Sequence, residues 1–236
     1  MLICGIQKLT LLDYPEKIAA TIFTGGCNYR CPFCHNASLV LRPAQCQPIP
    51  EEEIFDFLKK RVGKLDGVCI TGGEPLLQPD LESFIRRVRD MGFLIKLDTN
   101  GAFPQRLKAL LDQGLLDYVA VDIKNSPEKY PLTVGLADFD PSPVFESAAL
   151  LMTGKTPYEF RTTLVRGLHT SEDIASLGKA IKGAKNCFLQ SFIDSGDLVG
   201  FSEEGVSIPM GSFTEDEIKG FRDILSQYVE NAAIRG

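Results

Sequence analysis

Six times along this chain of 236 residues a short apolar run gives way to an amphipathic stretch at helical spacing, and no other feature limits the architecture as much. Strands that return parallel to one another need crossovers, most often helices, so the alternation reads as βα units around a parallel sheet. The predicted strands cover residues 18–23, 68–71, 93–97, 117–123, 158–165 and 187–192. The predicted helices cover residues 51–62, 80–91, 104–113, 144–153 and 172–182, and a last one follows Thr214 and Glu217, spaced as a capping box. Local chemistry supports these limits. Glu51, Glu52 and Glu53 open the first helix, Lys59, Lys60 and Arg61 close it and Gly63 stops it. Leu81, Phe84, Ile85 and Val88 share one face of the second, which ends at Gly92; Gly114 ends the third. Ile218, Phe221, Leu225 and Tyr228 are expected to face inward from the last. The proline-rich stretch 127–143 is the longest irregular connection. A closed barrel of this kind uses about eight units, and six cannot close the same ring. The expected fold is therefore α/β: an open, partial (β/α)6 TIM-type barrel, with residues 1–236 forming a single domain behind a short N-terminal extension. A doubly wound open sheet has the same periodicity and stays as the alternative.

Composition removes several classes of function. The net charge is -6, with no basic block or basic amphipathic helix, so neither nucleic acid nor a membrane surface is an expected partner. No apolar run approaches the roughly 20 residues of a membrane span. The N-terminus lacks the pattern of a secretory leader, and a cytoplasmic location is expected. Seven cysteines, an odd number in a chain too long to need disulfide staples, point to metal or redox chemistry in a reducing compartment. Cys4, Cys46, Cys69 and Cys187 stand singly. Cys69 and Cys187 lie in apolar runs and read as small buried hydrophobes. With no second cysteine cluster, no second iron–sulfur site is expected.

The other three, Cys27, Cys31 and Cys34, are spaced C-x3-C-x2-C directly after the first predicted strand. Iron–sulfur clusters with four irons ordinarily take four cysteines; three would leave one iron open, as a catalytic metal requires. A structural zinc ion, completed by His35 or a distant cysteine, is the rival reading. Zinc usually draws on two separated ligand pairs, no second pair is present, and His35 adjoins Cys34 too closely to share one ion with it easily.

The loop Gly25-Gly26-Cys27-Asn28-Tyr29-Arg30-Cys31-Pro32-Phe33-Cys34-His35-Asn36, with an aromatic before the third cysteine, resembles the radical S-adenosylmethionine (SAM) superfamily. Its ending Cys34-His35-Asn36 resembles the activating enzymes of glycyl radical enzymes. Thr71-Gly72-Gly73-Glu74-Pro75, Asp98-Thr99-Asn100-Gly101, Asp122-Ile123-Lys124 and Arg161 follow in the family's order. The opening Gly5-Ile6-Gln7-Lys8-Leu9-Thr10-Leu11-Leu12-Asp13-Tyr14-Pro15 is similar to activators of anaerobic ribonucleoside-triphosphate reductase. Independently of the resemblance, four of these motifs fall at or just beyond strand ends, the edge on which (β/α) barrels carry their reactive groups.

The resemblance implies a [4Fe–4S] cluster on Cys27, Cys31 and Cys34, with SAM chelating the open iron. Gly72 and Gly73 would let backbone approach the SAM amino group, and Glu74 would bind its ammonium or orient the loop. Asp98, Thr99 and Asp122 correspond to positions that hold a monovalent cation in such activators. Lys124 and Arg161 would neutralise the SAM carboxylate, and Phe33 would pack near the adenine. A cation on an otherwise apolar strand, as Arg161 is, needs a partner. The implied reaction is reductive cleavage of SAM, fed by an external one-electron reductant of flavodoxin or ferredoxin type. The 5′-deoxyadenosyl radical would then take a hydrogen from a glycine of a partner, anaerobic ribonucleotide reductase by the resemblance. No general base is expected. A radical SAM enzyme acting on a small molecule, of the kind that makes 7-deazaguanine precursors, and a non-enzymatic zinc module are the alternatives. His169 reads as solvated or structural, and Arg86, Arg87 and Arg89 as the wet face of a helix.

Overall fold

The computed structural model describes residues 1–194, 198–201 and 209–235. Its chain resolves into two compact units, Met1–Asn28, Ser38–Thr99 and Gln105–Ala120 in one, Tyr29–Ala37, Asn100–Pro104 and Val121–Gly236 in the other.

The first unit holds β1 (Ile3–Thr10), β2 (Ala19–Thr24), most of α1 (Ala37–Leu41), α2 (Glu51–Lys59), β3 (Gly67–Gly72), α3 (Leu81–Asp90), β4 (Leu94–Thr99) and nearly all of α4 (Pro104–Asp112). It also holds the start of β5 (Tyr118–Asp122). β2, β3 and β4 run parallel, with Ile22 beside Ile70 and Ile70 beside Leu97. Ala19, Ala20, Ile22, Val68, Cys69 and Ile70 have no exposed surface, which is why these strands read as apolar runs without alternation. Leu81, Phe84, Ile85 and Val88 are buried along one face of α3, and burial of such side chains, about 1.5–3 kcal/mol each, seats the helix. α2 ends at Lys59, three residues before its sequence-based limit, and Lys60 caps it.

Two features of this unit were not expected. β1 pairs antiparallel with β2, Ile6 opposite Ile22; the opening motif is an edge strand, and its exposed residues 7–9 hid the pattern. Cys4 and Cys46, read as single cysteines, are joined in a disulfide. The Ile49 amide donates to the Ile3 carbonyl and lays the segment after α1 along β1, so that cysteines 42 positions apart in sequence meet.

The second unit continues with α5 (Tyr130–Val134), inside the stretch read as irregular, α6 (Ser142–Thr153), β6 (Tyr158–Leu164), α7 (Ser171–Ala180), β7 (Asn186–Ser191), α8 (Glu215–Leu225) and β8 (Asn231–Arg235). β6, β7 and β8 are parallel neighbours. Capping boxes open α7 (Thr170 with Asp173) and α8 (Thr214 with Glu217). Because α8 stops at Leu225, Tyr228 does not extend its inward face; its ring lies over Gly178 so closely that an added Cβ there would meet it at 2.5 Å. β8 was not expected, being short and rich in alanine. Arg235 secures it, with both guanidinium nitrogens 2.9 Å from the Glu159 carboxylate and the group stacked 3.7 Å from the Phe188 ring centre. No described helix is long and apolar enough to cross a membrane.

Candidate active site

In the first unit, the backbone after β2 and the end of β3 are packed against each other. The Gly73 amide donates to Thr24 O and the Glu74 amide to Gly26 O, both at 2.8 Å. A Cβ on Gly73 would stand 1.9 Å from Gly26 O, and Gly72, at φ 111°, would press one on Thr24. The glycine pair is thus demanded by the start of the cysteine loop itself. Gln78 adds to the same clamp: its side chain donates to Gly25 O at 2.8 Å and accepts the Leu2 amide at 2.9 Å. Glu74 is fully buried, and its carboxylate accepts from the Leu76 amide at 3.0 Å and the Thr99 hydroxyl at 2.7 Å. It therefore ties the end of β3 to the end of β4.

Two residues before Asp98, and so on the same face of β4, Lys96 contacts the Asp98 carboxylate through Nζ. The lysine is 1% exposed, and its ammonium also lies 3.9 Å from Cys69 Sγ. Cys69 is buried as expected, and in addition lends its sulfur to this pair.

In the second unit, Asp122 ends β5 between two cations, Arg161 Nε at 2.9 Å and Lys124 Nζ at 3.0 Å. Burial resists its ionisation, but Arg161 and then Lys124 outweigh that and hold its carboxyl well below the usual carboxylate range. Burial likewise disfavours the Lys124 ammonium, while Asp122 and the sulfurs of Cys31 and Cys34 act on it in the opposite sense and keep it charged. Lys124 also stands 6.0 Å from the centre of the buried Phe33 ring. Two of the loop cysteines, the aromatic between them, Lys124, Asp122 and Arg161 thus form one electrostatic group in which Asp122 holds both cations. The loop is held on its far side by the Gly200 amide, donating to Pro32 O at 2.8 Å, and the Val199 amide, donating to Cys34 O at 3.3 Å.

His169 and Tyr130 brace the end of β5. Val165 N–H donates to His169 Nδ1 at 3.1 Å, so the ring proton sits on Nε2 and is given to the Lys124 carbonyl at 2.8 Å. Burial pushes the His169 pKa down. The Tyr130 hydroxyl accepts the Lys124 amide at 3.1 Å.

Sequence reasoning missed Lys96, Gln78 and the bracing role of His169. Lys96 was detectable, because it is a lone cation in an apolar strand, the argument already applied to Arg161. Gln78 and His169 left no such mark. Among the described residues, no three His, Cys, Asp or Glu side chains lie together as a metal-binding group.

The model of the Radical SAM superfamily matches residues 21–168. A Methanocaldococcus jannaschii protein provisionally named a glycyl-radical enzyme activating enzyme is 34% identical over 99% of this chain and 95% of its own. A 7-carboxy-7-deazaguanine synthase of Methanopyrus kandleri is also 34% identical, but over 42% of this chain and 46% of its own. The structure of Streptococcus suis SuiB bound to S-adenosylmethionine overlays on 89% of this chain and 48% of that one with a TM-score of 0.65 at 12% identity. That likeness is one of fold, and it agrees with the α/β, partial (β/α)6 class read from the sequence.

Proposed function

Because the chain belongs to the radical SAM superfamily and is a radical SAM enzyme, we propose that it activates a glycyl radical enzyme, anaerobic ribonucleoside-triphosphate reductase in particular. Residues 1–236 act in this reading as a single core domain behind a short N-terminal extension. The family implies a [4Fe–4S] cluster and SAM, and the donor chemistry fits: three thiols share one loop, two of them beside the Lys124 ammonium. Cys27, Cys31 and Cys34 are assigned as the cluster ligands. When bound, cluster and SAM together supply one-electron reductive cleavage and, through it, hydrogen abstraction from a glycine Cα.

The chain's own residues bind and orient. Lys124 and Arg161 receive the SAM carboxylate, and Asp122 holds both in place. Gly72 and Gly73 present backbone to the SAM amino group, and Glu74 fixes that turn. Phe33 offers its face to the adenine. By the resemblance, Asp98, Thr99 and Asp122 would hold a monovalent cation. The observation that carries the reading is the pair of cations, Lys124 and Arg161, that Asp122 gathers beside the cysteine loop, together with the nearly end-to-end match to the activator relative.

The enzyme would work in the cytoplasm, with an external reductant of flavodoxin or ferredoxin type. The small-molecule alternative is weaker because its deazaguanine relative matches less than half of either chain, whereas the activator relative matches nearly end to end. Membership of the superfamily sets the non-enzymatic zinc module aside. Electron paramagnetic resonance of anaerobic ribonucleotide reductase incubated with reduced enzyme and SAM tests the partner. A glycyl radical doublet is expected. Cleavage of SAM with no radical on the reductase would exclude that partner.

A further inference from the structure

The start of the cysteine loop is held from two sides. On one, the Gly25 amide donates to the Leu2 carbonyl at 3.0 Å, just ahead of β1. On the other, the Gly26 amide donates to the carbonyl of Leu39 in α1 at 2.8 Å. The Cys4–Cys46 disulfide joins these two supports, because Cys4 lies in β1 and Cys46 follows α1 after the short turn Pro43–Gln45. The Cys4 sulfur also lies against the loop, since a Cβ on Gly25 would meet it at 2.7 Å. With the bond broken, the supports stay together through non-covalent contacts, the Ile49–Ile3 hydrogen bond among them, and local opening becomes easier.

A chain of this size builds its core without disulfide staples. Both cysteines are half-buried, and Gln45, Gln47 and Pro48 are exposed beside Cys46. An attacking thiolate therefore has its approach at Cys46, while Cys4 is covered by Gly25.

We propose that Cys4–Cys46 is a thiol–disulfide exchange site whose redox state sets how firmly the loop holds iron at Cys27. The inference rests on the cluster reading above. Its reaction partner is a dithiol. One thiolate of that dithiol attacks the Cys46 sulfur, the bond to Cys4 breaks, and Cys4 leaves as a thiolate that takes up a proton. The second thiol then gives up its proton, attacks the mixed disulfide and releases Cys46, which is protonated in turn. Two electrons and two protons pass to the protein, and the dithiol becomes a disulfide. Exchange with a small disulfide reverses the sequence and restores the tether.

The test treats the anaerobically reconstituted protein with glutathione disulfide or with dithiothreitol, desalts it, and identifies the bond by peptide mass spectrometry. Amide hydrogen exchange at Gly25 and Gly26 and the rate of iron release to a ferrous chelator are then measured. In the disulfide form, exchange should be about tenfold slower and iron release about fivefold slower than in the dithiol form. Cys4→Ser with Cys46→Ser should match the dithiol form after either treatment; the native comparison stands without it if the variant does not fold. Iron release alike in the two native forms, or a pair that neither reagent converts, would overturn this inference alone. A protein that holds no iron in either form would sink the cluster reading and this inference with it.

Discussion

At the scale of single residues, the account depends on charges and close approaches that allow little substitution. Lys124→Met should raise the Kd for SAM about tenfold to a hundredfold, the ~1.5–3 kcal/mol of a hydrogen bond to a charged group, while Arg161 keeps Asp122 paired and the fold intact. Calorimetry measures this, and an unchanged Kd would remove Lys124 from the site. Gly73→Ala puts a methyl 1.9 Å from Gly26 O, where only backbone can yield. It should cost more than about 3 kcal/mol or abolish iron loading, readable from a melt and an iron count. His169 gives a pH dependence of known sign. Its folded pKa lies below the unfolded value of about 6.5. The two states are equally neutral well above that pH. As pH falls below the unfolded value, the unfolded chain binds the proton first and stability declines. Urea midpoints between pH 7.5 and 5.5 should therefore fall for the native protein and fall less for His169→Asn. These residues were unequally visible. Cys27, Cys31 and Cys34 announce themselves by spacing, whereas His169 acts through backbone groups of Val165 and Lys124, and no sequence pattern records such contacts.

At the scale of elements, the parallel strands and their helices were legible because burial on both faces removes charged residues from β2 and β3, and because α3 keeps its apolar residues on one side. The edges were not. β1 shows exposed residues in its second half and β8 is five residues long, so neither carries a strong period. What fixes them lies outside their own sequence: the Cys4–Cys46 disulfide for the first, the Glu159–Arg235 pair for the second. The disulfide closes a loop spanning 42 residues, for which chain entropy gives a stabilisation of up to about 4 kcal/mol. Reduction, or Cys4→Ser with Cys46→Ser, should lower the unfolding free energy by about 2–4 kcal/mol in urea titrations; no change would mean that the Ile49–Ile3 contact and the β1–β2 ladder alone hold this edge. The disulfide also abuts the cysteine loop, since a Cβ on Gly25 would meet Cys4 Sγ at 2.7 Å.

At the scale of the whole molecule, one chain order serves fold and chemistry together. The cysteine loop follows β2, the glycine pair ends β3, Asp98 and Thr99 end β4, and Asp122 ends β5. Each motif is thus delivered by the end of a strand whose apolar run is legible in the sequence. Partner and reductant are decided by outer surfaces, where no comparable regularity exists. The central claim, reductive cleavage of SAM at Cys27, Cys31 and Cys34, is tested most directly by counting 5′-deoxyadenosine released by anaerobically reconstituted, dithionite-reduced protein, with Cys31→Ala as control. Release from the native protein and none from the variant is the expected result. Equal release from both, or a native protein that holds no iron and binds no SAM, would contradict the account.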